Sequence, residues 1–138
     1  MMFAHTVAIQ SCFNLKYLTI INNNKISFEE KEIKKSSLLT MRYVGKYISL
    51  QEKNGKYLSS NAYNTLELID KIKPGENELF EIQWVDNNCF SLKANNGFYL
   101  SVLKDGNIGI NQKIVSINEL FIMTVTKEET ILEFLGFC

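Results

Sequence analysis

The stretch "KNGKYLSS" at residues 53–60 returns forty-two residues later as "NNGFYLSV" at residues 95–102. An Asn-Gly turn, an aromatic-leucine pair and a serine are spelled twice. Read outward from either copy, the likeness grows. The second segment runs "YISLQEKNGKYLSS" (47–60), then "TLEL" (65–68), then "NELFEIQWV" (77–85). The third runs "CFSLKANNGFYLSV" (89–102), then "NIGI" (107–110), then "NELFIMTV" (118–125). A first, more diverged segment reads "TVAIQSCFNLKYLTI" (6–20), "KISF" (25–28) and "SLLTMRYV" (37–44). Tyr17-Leu18, Tyr57-Leu58 and Tyr99-Leu100 are spaced by 40 and 42 residues, and Leu39, Phe80 and Phe121 by 41 and 41. A period near 41 held at independent positions marks an internal repeat.

Each segment holds four short runs that alternate apolar and polar residues and favour β-branched and aromatic types, the pattern of half-buried strands. In the second they are Tyr47–Gln51, Lys56–Ser60, Thr65–Ile69 and Leu79–Val85. Asn54-Gly55 and Asn96-Gly97 supply the positive φ angles of tight hairpins. Phe13-Asn14-Leu15 takes that place in the first segment, one residue longer and without glycine, so a looser turn is expected there. Asp105-Gly106 marks the next bend of the third segment and Asn22–Asn24 that of the first. Three units of four strands, each with one buried face, must close or stack. The expected architecture is an all-β β-trefoil with pseudo-threefold symmetry, one domain over 1–138. Its repeats would lie at about 6–44, 47–85 and 89–126, with a tail at 127–138. Ile9, Leu50 and Leu92 should be one set of equivalent core residues. Leu18, Leu58 and Leu100 form a second set, and Leu39, Phe80 and Phe121 a third.

The same residues resemble the fascin-like β-trefoils, whose repeats read as an alternating strand, a glycine turn with "GKYLS", a short strand and an aromatic "E-x-F". The resemblance spans about residues 6–126. It implies a binding module without catalysis, and the hisactophilin and fascin members imply filamentous actin as partner. The chain departs from hisactophilins in having one histidine, His5, and no glycine at position 2, so neither a surface-imidazole switch nor N-myristoylation is expected. Sugar-binding trefoils of the ricin type carry Q-x-W in each repeat, whereas Gln83-Trp84 are adjacent and occur once. Carbohydrate, or a protein bound through the loops, stands as the alternative partner.

Composition narrows the function further. The 138 residues suit one domain with a core large enough to need no staple. Lys+Arg and Asp+Glu are both 15, so no bulk attraction draws nucleic acid or an anionic membrane. Cys12, Cys89 and Cys138 are odd in number and widely spaced, which fits a reducing cytoplasm better than a disulfide framework or a zinc site. No secretory signal or transmembrane run is evident, and no prenylation box ends the chain.

Catalytic and cofactor chemistry find little support. His5 and Cys12 lack an orienting third group. Glu29, Glu30 and Glu32 belong to the mixed charge run "FEEKEIKKSS" (28–37), and Asp70, Asp86 and Asp105 stand alone in turns. No cofactor and no metal is expected. Trp84 should share the face of Phe80 and Ile82, as a core or barrel-end residue or a sugar-stacking platform. The candidate partner-binding residues are lysines on turns: Lys53 and Lys56 beside Asn54-Gly55, Lys93 and Lys104 in the third segment, and Lys34 and Lys35 in the loop that also holds Lys31. Such turns would gather at the ends of a barrel and offer positive charge to an acidic filament. The apolar tail, with Ile131, Leu132, Phe134, Leu135 and Phe137, is expected to pack back on the barrel or to bind a partner.

Overall fold

The computed structural model describes residues 4–21 and 25–126. The expectations for the Asn22–Asn24 bend, for the tail and for Cys138 lie outside the described residues. Twelve strands form among those described: β1 (Ala4–Ser11), β2 (Tyr17–Ile21), β3 (Lys25–Glu30), β4 (Leu39–Val44), β5 (Tyr47–Gln51), β6 (Tyr57–Ser60), β7 (Leu66–Ile69), β8 (Phe80–Trp84), β9 (Cys89–Lys93), β10 (Tyr99–Val102), β11 (Ile108–Gln112) and β12 (Phe121–Val125). All pairings are antiparallel. The strands β1, β4, β5, β8, β9 and β12 pair in that order, and β12 returns to β1, so the six close into a barrel without an edge. The other six form the hairpins β2–β3, β6–β7 and β10–β11. The hairpins meet one another: β3 touches β7 and β11. The Phe28 amide donates to the Gly106 carbonyl (2.9 Å), and that of Ile110 to the Asn64 carbonyl (2.7 Å).

The register shows why residues spaced by about 41 play like parts. Leu39, Phe80 and Phe121 stand opposite Val7, Ile48 and Phe90. Ile9, Leu50 and Leu92 stand opposite Met123, Met41 and Ile82. In the hairpins Leu18, Leu58 and Leu100 face Phe28, Leu68 and Ile110. All nine of the expected core residues are at most 2% exposed and belong to one cluster. Phe121 ties that cluster together, with its ring 5.5 Å from Phe28 and 6.0 Å from Phe90. Burial of each such side chain contributes roughly 1.5–3 kcal/mol.

The repeated "NELF" also carries a polar device. A single 3₁₀ turn precedes β8 and β12, and the glutamate of the motif folds back on it. Glu78 accepts from the Gly75 amide (2.8 Å) and from the Ser59 hydroxyl on β6 (2.5 Å). Glu119 accepts from the Ser116 amide (2.8 Å) and the Ser101 hydroxyl on β10 (2.6 Å). Both glutamates are buried. In the first segment the same post is held by Ser37, whose hydroxyl accepts from the Lys34 amide (3.2 Å) and bonds Thr19 (2.9 Å). Each turn is thereby fastened to a hairpin strand some eighteen residues earlier.

The first-segment turn has the extra residue expected of it but is not loose. It is longer than its counterparts, closing from the Ser11 amide to the Lys16 carbonyl where Glu52 closes on Lys56 and Ala94 on Phe98. It is nevertheless well fastened. The Ser11 hydroxyl accepts from the Phe13 and Asn14 amides, Asn14 bonds both Lys16 and the Phe28 carbonyl, and Leu15 takes the left-handed conformation at φ 62°. Side-chain hydrogen bonds replace the freedom that glycine supplies elsewhere.

Gly106 is held by two constraints at once. Its φ is +89°, and a Cβ there would stand 2.7 Å from the Phe28 carbonyl oxygen, the neighbour to which this hairpin is bonded. Gly106→Ala is therefore expected to lower stability by about 1–3 kcal/mol, measurable as a fall in thermal midpoint; an unchanged midpoint would refute the constraint.

Candidate functional site

Three surface clefts recur around the barrel where one segment meets the next, and their equivalent positions carry different chemistry. At the first, Lys35 projects from the 3₁₀ turn Lys35–Ser37 and Lys53 from the turn after β5. Both lysines line two adjoining cavities of about 200 and 320 Å³, which share Leu38 as floor. The Lys53 turn is stiff. Gly55 sits at φ +96°, the Glu52 carboxylate accepts from the Lys56 amide (3.0 Å), and the Gln51 side chain joins the Gly55 carbonyl (2.8 Å) to Arg42 (2.6 Å). The Lys35 turn is held by Ser37 as described above. Neither Lys35 nor Lys53 forms an ion pair among the described residues.

The positions equivalent to Lys35 are Glu76 and Ile117, and those equivalent to Lys53 are Asn95 and Cys12. The second cleft, of about 450 Å³, thus presents Glu76 and Asn95, with Tyr47 and Glu81 on its wall. The third, of about 490 Å³, is lined by Phe13, Leu103 and Lys104, with Ser116 and Asn118. Two unpaired cations meet only at the first cleft of these three.

The six candidate lysines are divided accordingly. Lys35 and Lys53 come together. Lys34 lies beside them but is paired with Glu30 at 2.9 Å, and that hydrogen bond raises its pKa. Lys56 flanks the Lys53 turn and is half-buried. Lys93 belongs to the second cleft and rests over the Tyr99 ring at 5.8 Å. Lys104 belongs to the third. Trp84 does lie on the core side of β8, where its ring meets Phe90 at 5.2 Å, but it is the last residue of the strand and 43% exposed. It is a barrel-end residue because the strand runs out of barrel to bury it.

Sequence reasoning missed one constellation. Cys12 does not meet His5, which stands opposite Met41 on β1. The groups that act on its thiol are Cys89 and, through its charge, Asp86. Burial first, then Cys89 and Asp86, push the Cys12 thiol up to about 11. The repeat spacing held the clue, since Cys12 and Cys89 occupy the positions of Lys53 and Thr6 displaced around the barrel. No group of three acidic, cysteine or histidine side chains able to hold a metal forms among the described residues, and no helix among them is long and apolar enough to cross a membrane.

A closed six-strand barrel capped by three hairpins in mutual contact defines a β-trefoil. The designed threefold-symmetric protein ThreeFoil has a similar structure, with a TM-score of 0.75 at 14% identity over 88% of this chain and 99% of its own. At that identity the likeness establishes the fold alone. The family model of the fascin domain matches residues 3–82. The chain belongs to the fascin-domain family. No curated protein matches it significantly.

Proposed function

We propose that the chain is a non-enzymatic, cytoplasmic binding module for a protein partner, with filamentous actin as the first candidate. The binding unit is the whole chain, 1–138, with repeats at about 6–44, 47–85 and 89–126 and the tail at 127–138. The observation that carries the reading is the pairing of Lys35 and Lys53 across the first cleft, on two stiff turns and without carboxylate partners among the described residues. Two cations on fixed turns, above Leu38 and beside a Glu52 carboxylate that the Lys56 amide engages, suit an acidic side chain that brings aliphatic surface with it. Lys34 and Lys56 extend the rim. Lys93 and Lys104, on the other clefts, provide separate contact points, and crosslinking of filaments would need those or a second copy. Membership of the fascin-domain family supports the choice of actin.

Cosedimentation with filamentous actin at low and raised salt tests this. Binding should weaken as salt rises, and Lys35→Glu combined with Lys53→Glu should reduce affinity at least about tenfold. Absence of binding at low salt ends the reading. Trp84 favours a second one. An indole supported from beneath by Phe90 and 43% exposed is a surface on which a sugar ring can stack. A glycan array, with Trp84→Ala as control, separates carbohydrate from protein as ligand.

A further inference from the structure

The two ends of the barrel are finished differently. Along β4, β8 and β12 every second residue lines the inner face. The first of each, Leu39, Phe80 and Phe121, are at most 1% exposed. The next, Met41, Ile82 and Met123, are buried or partly buried against the core. The last, Tyr43, Trp84 and Val125, repeat by the same 41 residues, yet are 38%, 43% and 55% exposed. Each hairpin precedes β4, β8 or β12 and so caps the starts of those strands, not their ends. The open mouth of the barrel is thus an uncovered apolar triad, and the exposed Val44 and Val85 widen it.

We infer that this mouth is the docking surface for residues 127–138 of the same chain, whose apolar side chains cover Tyr43 and Trp84. The segment starts from the mouth itself. Val125 belongs to the triad, and the Thr126 amide that follows donates to the Thr6 carbonyl at 3.0 Å. Beyond it come Ile131, Leu132, Phe134, Leu135 and Phe137. Five extended residues span at most about 17 Å, and the opposed faces of a β core stand about 10 Å apart, so Ile131 can reach the far side. Charge fits as well. The rim positions two before Val7, Ile48 and Phe90 are His5, Lys46 and Asn88, none of them acidic. The segment carries Glu128, Glu129 and Glu133 against the single Lys127. The Lys46 ammonium is held only loosely, 3.7 Å from Glu81 and 67% exposed. The one carboxylate in the β8–β9 turn, Asp86, is engaged by the Asn88 and Cys89 amides. Lys35 precedes β4 and Lys53 follows β5, at the hairpin end, so the docked segment leaves the lysine cleft open.

Trp84 is the single tryptophan of the chain, so its fluorescence reports on the mouth alone. The full chain is compared with a full-length variant carrying Phe134→Asp and Leu135→Asp. Release of the segment should raise the acrylamide quenching constant at least about twofold and shift the emission to the red, as the indole returns to water. Equal quenching in the two proteins overturns the inference. So does protection that disappears on dilution as a dimer dissociates in sedimentation, because a second copy would then be the cover. A second measurement leaves the apolar residues in place. A nitroxide is attached to Cys138 in the full chain bearing Cys12→Ser and Cys89→Ser. At low protein concentration it should broaden the amide signals of residues 43–47 and 84–88 more than those of the turns at 61–64 and 103–107. Equal broadening at both ends of the barrel, or none, overturns the inference.

Discussion

Replacement of Phe121 by alanine is expected to remove about 3–5 kcal/mol of folding stability. The side chain is 1% exposed, and its ring packs between Phe28 of a hairpin and Phe90 of the neighbouring barrel strand. Truncation forfeits the transfer energy of the ring and leaves a hole that two fixed aromatic neighbours cannot both fill. The loss is a large share of the ~5–15 kcal/mol by which domains are stable. Phe121→Leu gives the control. Leucine is the native residue at the equivalent position, Leu39, which is equally buried, so that variant should lose only roughly 1–2 kcal/mol. Urea unfolding measures both, as a lower midpoint at constant slope. Equal losses for alanine and leucine would show that the ring stack is not what joins hairpin to barrel.

Glu78→Ala should cost about 2–4 kcal/mol at neutral pH. The carboxylate is 1% exposed yet fully engaged, accepting from Ser59, the Gly75 amide and the Lys71 ammonium (2.8 Å). Truncation strands the Ser59 hydroxyl and the turn amide in a dry site. Lys71 is itself 45% exposed, which keeps its share small. The pH dependence follows from the same contacts. Burial works to raise the Glu78 pKa, but the hydrogen bonds from Lys71, Ser59 and Gly75 together outweigh it and hold the group below the usual glutamate range. A depressed folded pKa means stability that is complete above the unfolded value, about 4.3, and lost as pH falls through the lower folded value. The gap between wild type and Glu78→Gln should therefore narrow in acid. Unfolding series at neutral pH and near pH 3 test this, and a gap that widens in acid would reverse the sign of the argument.

These two side chains also show what was legible. Phe121 is identifiable from spacing alone, because it lies 41 residues after Phe80 and 82 after Leu39 in an alternating run. Glu78 repeats as faithfully, in the same "NELF", yet a glutamate in a polar loop reads as solvated. Nothing local announces that a serine eighteen or nineteen residues back will enclose it. Trp84 shows the limit of alternation, which assigns the face of a strand but not the depth. The candidate lysines show it again. All sit on or near turns, but whether two turns share a cleft depends on which strands neighbour in the barrel. Lys35 and Lys53 do; Lys93 and Lys104 each belong to another cleft.

The sequence by itself determined the strands, their turns and the positions that repeat, since alternation and turn geometry are short-range properties written into a few consecutive residues. Only the closed barrel decided which of those positions meet. Cys12 and Cys89 lie far apart along the chain, and they flank the same strand because β12 pairs with β1 on one side and β9 on the other. Ring closure is a property of all six strands at once, and no stretch of chain contains it.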